Sequence, residues 1–229
     1  EQIEQFAPVF KGKIGNTVAG FLRKVLSIKT LSDIYDTIDE HQGADFAGAL
    51  LDKLGVNYQL GGSQRLANLP DGPFITVSNH PYGGMDGVIL IDLIGHIRPG
   101  FKVMVTEFLA LVEALRPSLI VVNPKNNLNK GITAKKIKDR EWQEAVLRLI
   151  RKAKVPIVPI RFFDHNSLWF YNLGLIDWRV RLMQLPHELV NKRYRRIRVG
   201  VGETLTVEEQ SKYSDIKDYG AFLRSKVYD

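Results

Sequence analysis

The chain has 229 residues, no cysteine and a net charge of +7. That length holds one α/β domain with a sizeable core, and the missing cysteine excludes disulfides, a thiol nucleophile and thiolate metal sites. The positive balance favours an anionic partner, such as a membrane surface, an acidic carrier protein or nucleic acid, without choosing among them.

The chain starts at Glu1 rather than at a methionine, so its beginning is expected to be missing. Residues 1–55 read as a helical N-terminal extension. Ile14, Val18, Phe21, Leu22, Val25 and Leu26 share one helical face, with Lys11, Lys13, Arg23, Lys24 and Lys29 around it. Such a helix packs on its own domain or lies in a membrane interface. Ser32 is placed to cap a second helix reaching Glu40. Asp45 to Leu54 reads as a third helix, stopped by Gly55.

From Val56 onward strands and helices alternate, as in a layered α/β fold. Residues 56–229 are therefore expected to form one α/β unit, a layered mixed sheet flanked by helices. Strands are predicted at Val56–Leu60, Phe74–Val77, Phe101–Val105, Leu119–Val122, Val155–Ile160 and Ile197–Val201. Helices are predicted at Asp86–Ile97, Glu107–Leu115, Glu141–Ala153, from Pro186 and from Ser214 or Asp215. The longest apolar run, Gly87 to Gly95, is broken by Asp92 and falls short of a membrane span. Lys192, Arg193, Arg195, Arg196 and Arg198 make the densest basic cluster. It reads as a contact for anionic head groups or an acidic acyl carrier, or as an edge strand protected by charge. No nucleic-acid motif accompanies it.

The chemistry concentrates in Phe74 to Leu90. A β-rich run turns polar at Ser78-Asn79-His80, passes Pro81 and the Gly83-Gly84 pair, and restarts as an apolar helix at Asp86. This order brings an imidazole and a carboxylate to one bend. A carboxylate fixes the tautomer of a histidine base and stabilises the imidazolium that forms. N–H groups at the helix start, near Gly84 and Asp86, lack intrahelical partners, and they or loop N–H groups of Gly83 and Gly84 suit a developing oxyanion.

Asn79-His80-Pro81-Tyr82-Gly83-Gly84-Met85-Asp86 resembles motif I of the glycerolipid and lysophospholipid acyltransferases, Asn-His-x4-Asp. Here five residues separate His80 from Asp86, as in a bacterial hemolysin-like branch. The resemblance runs with gaps from about Leu50 to Gly202. It implies His80 as catalytic base oriented by Asp86, with Asn79, Gly83, Gly84, Asn123, Lys125 and Arg161 about the substrate. It also implies a thioester co-substrate, on acyl carrier protein or coenzyme A, with no further cofactor and no metal. A lysolipid would be the acceptor and an anionic membrane surface a partner. The protein would then be cytoplasmic, peripheral on the inner face of the membrane.

Two departures matter. At the place of motif II, where the family has a phosphate-gripping arginine, this chain has Asn123 with Lys125 nearby. An amide does not replace a bidentate guanidinium, so the acceptor widens from lysophosphatidic acid to lyso-aminolipids. Motif III has no counterpart, because the basic run Leu128 to Arg140 leads straight to a helix. Either that element is absent, or a segment is missing between Asn127 and Leu128. Val155-Pro156-Ile157-Val158-Pro159-Ile160 resembles motif IV, a lining of the acyl or acceptor pocket. Two other readings stand beside the enzyme. One is a non-catalytic membrane-surface or carrier-binding protein of the same fold. The other is a metal-dependent hydrolase using His80, Asp86, Asp164 and His165.

Overall fold

A computed structural model describes residues 27–106, 109–122, 142–167, 170 and 184–228. The fold is mixed α/β. Its elements in order are α1 (Ile28–Tyr35), α2 (Gly43–Leu54), β1 (Asn57–Gly61), β2 (Ile75–Ser78), α3 (Gly84–Gly95), β3 (Val103–Val105), β4 (Leu119–Val121), α4 (Glu144–Ala153), β5 (Ile157–Phe162), α5 (Leu185–Asn191), β6 (Arg196–Val201), α6 (Val207–Ser211) and α7 (Ile216–Tyr228). They fall into two compact units. One is drawn from Asn57–Tyr82, Lys136–His165 and Arg196–Asp229. The other is drawn from Glu1–Val56, Gly83–Lys135 and Asn166–Arg195.

The first unit carries a four-stranded mixed sheet in the order β1-β6-β5-β2. β1 runs parallel to β6 and β2 parallel to β5, while β5 and β6 are antiparallel. β5 lies inside the sheet and is buried at every position but Arg161. A proline inside a sheet removes a ladder donor. Pro159 is accommodated because only its carbonyl is used on the β6 side, where it accepts from the Gly202 N–H at 2.8 Å. Pro156 likewise contributes its carbonyl, to the Ile75 N–H at 3.0 Å. The core of this unit gathers Val77 and Ile157 of the sheet with Leu147, Ile150, Ile216, Tyr219, Leu223 and Val227 from α4 and α7. Inside it the Tyr219 hydroxyl donates to Gln210 Oε1 at 2.9 Å, so the phenol is buried with its polar tip satisfied.

The helix ends follow capping chemistry. Thr206 and Glu209 form a reciprocal capping box on α6. Asp215 Oδ1 accepts the N–H groups of Lys217 and Asp218 at the start of α7. Gly55 closes α2 in the left-handed region, as expected of a glycine C-cap.

The second unit holds a two-stranded parallel sheet, β3 with β4, and the buried helix α3. Every residue of α3 from Gly84 to Ile91 is buried, as are Leu93 and Ile94. A helix apolar on all sides must be enclosed. α2 packs along it, closely enough that a Cβ on Gly95 would stand 2.9 Å from Ala44 Cβ. Among the described residues no helix is long and apolar enough to cross a membrane.

Several expectations change. Ser32 does not cap a helix; it lies inside α1, and its carbonyl accepts the Asp36 N–H at 2.9 Å. The helix predicted over Glu107–Leu115 is replaced, where described, by 3-10 turns at Leu109–Leu111 and Glu113–Ser118. Val112 between them is extended, which breaks the α-helical run. Pro117, expected to end a helix, lies within the second turn. The basic strand is not an edge: β6 lies between β1 and β5. α6 was not foreseen. The residues before Ser27 and the segments around Asn123, Leu128–Arg140 and Leu173–Arg181 lie outside the described residues.

Candidate active site

β2 ends at Ser78, and Asn79 continues the strand's pairing with its side chain. Asn79 Nδ2 donates to the Phe162 carbonyl at 2.8 Å, and the Phe162 N–H donates to Asn79 Oδ1 at 2.8 Å. Asn79 is 6% exposed, so this clamp forms where an unmade hydrogen bond is costly. Three residues on, the ring of Tyr82 meets Phe162 edge-on, with centroids 6.2 Å apart and planes at 89°. Both flanks of the turn are thus fixed on one residue of β5. Between them His80 is exposed. Asn79 was expected near the substrate; here both ends of its amide are used on Phe162. Tyr82 belonged to the motif, but Phe162 carried no signal of its own in the sequence, because its role depends on β5 lying beside β2.

Gly83 has φ 73 and ψ −110, a conformation that only glycine adopts readily. A Cβ there would also stand 2.6 Å from Leu185 Cδ2. Gly84 differs: a Cβ on it would meet nothing nearer than 3.7 Å. The first glycine makes the turn, and the second opens α3. Asp86 lies in the first turn of α3 and is 1% exposed. A carboxylate there is favoured by the helix dipole.

Arg161 donates to the Tyr228 carbonyl, and its guanidinium lies 4.6 Å from the Phe163 ring centroid and 5.7 Å from that of Tyr228. Asp164 binds Arg198 at 2.8 Å, and this hydrogen bond holds the carboxyl below its usual range despite some desolvation. His165 is exposed. Among the described residues no group of three or more His, Cys, Asp or Glu is placed to hold a metal ion. Asn123 and Lys125 lie outside the described residues.

A buried ion pair, not foreseen from the sequence, sits at the C-terminal end of α5 in the second unit. Lys192 Nζ binds Glu188 Oε2 at 3.0 Å, and Glu188 is 2% exposed. Ser167 donates its hydroxyl to Glu188 Oε1 and its backbone N–H to Oε2. Burial alone would raise the Glu188 carboxyl, but Ser167 and Lys192 outweigh it and hold it below its usual range. The i, i+4 spacing of Glu188 and Lys192 was the available signal.

The family model described as acyltransferase matches residues 3–147, well over half of the chain. The chain belongs to this acyltransferase family. Two relatives are each named lyso-glycine lipid O-acyltransferase. The one from Bacteroides thetaiotaomicron is 24% identical over 92% of this chain and 89% of its own. The one from Phocaeicola vulgatus is 23% identical over 92% and 86%. Among solved structures, the 1-acyl-sn-glycerophosphate (LPA) acyltransferase of Thermotoga maritima superimposes with a TM-score of 0.47 and 13% identity, over 93% of this chain and 87% of that one.

Proposed function

We propose that this acyltransferase moves a fatty acyl group from a thioester, on acyl carrier protein or coenzyme A, to the free hydroxyl of a lysolipid. His80 takes the proton of that hydroxyl as its oxygen attacks the thioester carbonyl. N–H groups at the start of α3, near Gly83 and Gly84, steady the tetrahedral oxyanion. The intermediate then collapses, the C–S bond breaks, and the imidazolium returns its proton to the leaving thiolate. Asp86 holds the imidazole in one tautomer and stabilises its charged form.

The observation that carries this reading is the presentation of His80. Asn79 and Tyr82 are both anchored on Phe162, and His80 between them is exposed. On this reading Asn79 positions the base. The absent motif II arginine favours an acceptor without a phosphate ester. Both relatives are named for a lyso-glycine lipid, which fits a lyso-aminolipid acceptor, with Lys125 as a point charge near it and Arg161 bounding the site.

The test is turnover of acyl carrier and coenzyme A thioesters with a panel of lyso-glycine lipid and lysophosphatidic acid, read by mass spectrometry of the diacyl product. His80→Ala is expected to abolish product while the circular dichroism spectrum and Tm stay at wild-type values. Undiminished turnover by that variant would reject the assignment.

A further inference from the structure

Of the large hydrophobic side chains exposed among the described residues, Tyr194 is the most open, at 80%. Its backbone is also unusual. Its φ is 60, in the left-handed region, where a bulky residue is an outlier. Two contacts hold it there. The Tyr194 N–H donates to the Leu54 carbonyl at 3.1 Å. The ring edge faces Gly55, where a Cβ would stand 2.6 Å from Tyr194 Cδ1. The C-cap glycine of α2 therefore makes room for an aromatic ring that remains mostly in solvent. An observed backbone outlier of this kind points toward function.

The surroundings are cationic. The Arg193 guanidinium lies 5.7 Å from the Tyr194 ring centroid. Arg195 is exposed and has no ion pair among the described residues, and Lys53 is exposed in the last turn of α2. Asp52, next to Lys53 in the chain, is an exposed carboxylate. Lys192, two residues before Tyr194 in the chain, is buried against Glu188. A ring with a polar tip and a guanidinium beside it suits the boundary between lipid head groups and acyl chains.

We propose that Tyr194, with Arg193, Arg195 and Lys53, is a docking point for an anionic bilayer surface. This deepens the reading of a lipid-acylating enzyme and rests on it, since the acceptor would be drawn from that bilayer. The arginines supply long-range attraction, and the phenol ring supplies a short-range anchor at the head-group level. A basic residue near such a surface strengthens binding about fivefold.

Co-sedimentation with vesicles of pure phosphatidylcholine, and of phosphatidylcholine mixed equally with phosphatidylglycerol, tests it. The wild-type chain is expected to bind the mixed vesicles in a salt-sensitive way and the pure ones weakly. Arg195→Gln should weaken binding to the mixed vesicles about fivefold. Tyr194→Gly should weaken it too, while leaving Tm unchanged or higher, because glycine accepts positive φ without strain. Both variants should turn over a monomeric short-chain lysolipid at the wild-type rate, so loss of docking is separable from loss of acyl transfer. Wild-type vesicle binding by both variants would overturn the proposal. A clear fall in Tm for Tyr194→Gly would make the ring a cover for α2 and overturn it as well. So would loss of binding to an acidic acyl carrier protein with vesicle binding retained.

Discussion

The two ends of the turn between β2 and α3 lie in opposite environments. His80 is exposed at the strand end, while Asp86 is 1% exposed in the first turn of a largely buried helix. On the proposed mechanism His80, as proton acceptor, needs access to its substrate, and Asp86, orienting the ring, gains from shelter, where a charge acts at lower dielectric. One short motif thus carries residues with different tolerances. Changes at His80 are expected to strike rate alone, and changes at Asp86 to strike rate and stability together.

The largest effect tests that contrast directly. His80→Ala is expected to lower kcat by about 10²–10⁴-fold or more, with Tm unchanged. Asp86→Asn, which keeps shape and removes charge, is expected to lower kcat on the same scale and to shift Tm as well. A His80→Ala protein that unfolds, or an Asp86→Asn protein with full activity, would break the comparison.

Next comes the buried pair on α5. Glu188→Ala removes one partner of an enclosed ion pair and should cost about 3–5 kcal/mol in urea unfolding. The pH dependence has a defined sign. The Glu188 carboxyl is held below its usual value of 4.5. Its contribution is therefore present in full above that value and is lost as pH falls through the lower folded one. Acid unfolding of the wild type should show this loss, and Glu188→Gln should lack it.

The Asn79 clamp should rank third. Asn79→Ala leaves the N–H and C=O of Phe162 without the amide that pairs them, at about 2–4 kcal/mol. Because His80 stands next in the chain, kcat should fall along with Tm. A variant that loses stability yet keeps full kcat would show that the clamp does not position the base.

The smallest effect is on the surface of the second unit. His96 donates its Nδ1–H to the Asp92 backbone carbonyl at 2.7 Å, and its Nε2 lies 3.2 Å from Asp45 Oδ1. The Asp92 carbonyl raises its pKa above 6.5, partial burial opposes this, and Asp45 adds to the rise. Stability from protonated His96 is present in full below 6.5 and is lost as pH rises through the folded value. The group is nearly half exposed, so solvent screens it. His96→Ala should cost under about 1 kcal/mol at acid pH, and less at alkaline pH, by thermal melts in both buffers.

Much of this was legible in the residues. Gly55 reads as a helix stop because only a residue without Cβ enters the left-handed region cheaply. The strand-turn-helix around His80 reads from its β-rich run, its glycine pair and the apolar run that follows. The motif residues themselves carried the resemblance to acyltransferases. These are local properties, set by side-chain shape and backbone freedom.

Other features depend on who lies beside whom. That β6 is an interior strand, despite its arginines, follows from pairing with β1 and β5, which are distant in sequence. That Asn79 serves the backbone of Phe162, 83 residues away, required those strands to be neighbours. The shelter of Asp86, the pair at Glu188 and the exposed ring on Gly55 arose the same way. Periodicity says which face of an element is apolar; only packing decides what covers it and which polar groups are left to meet.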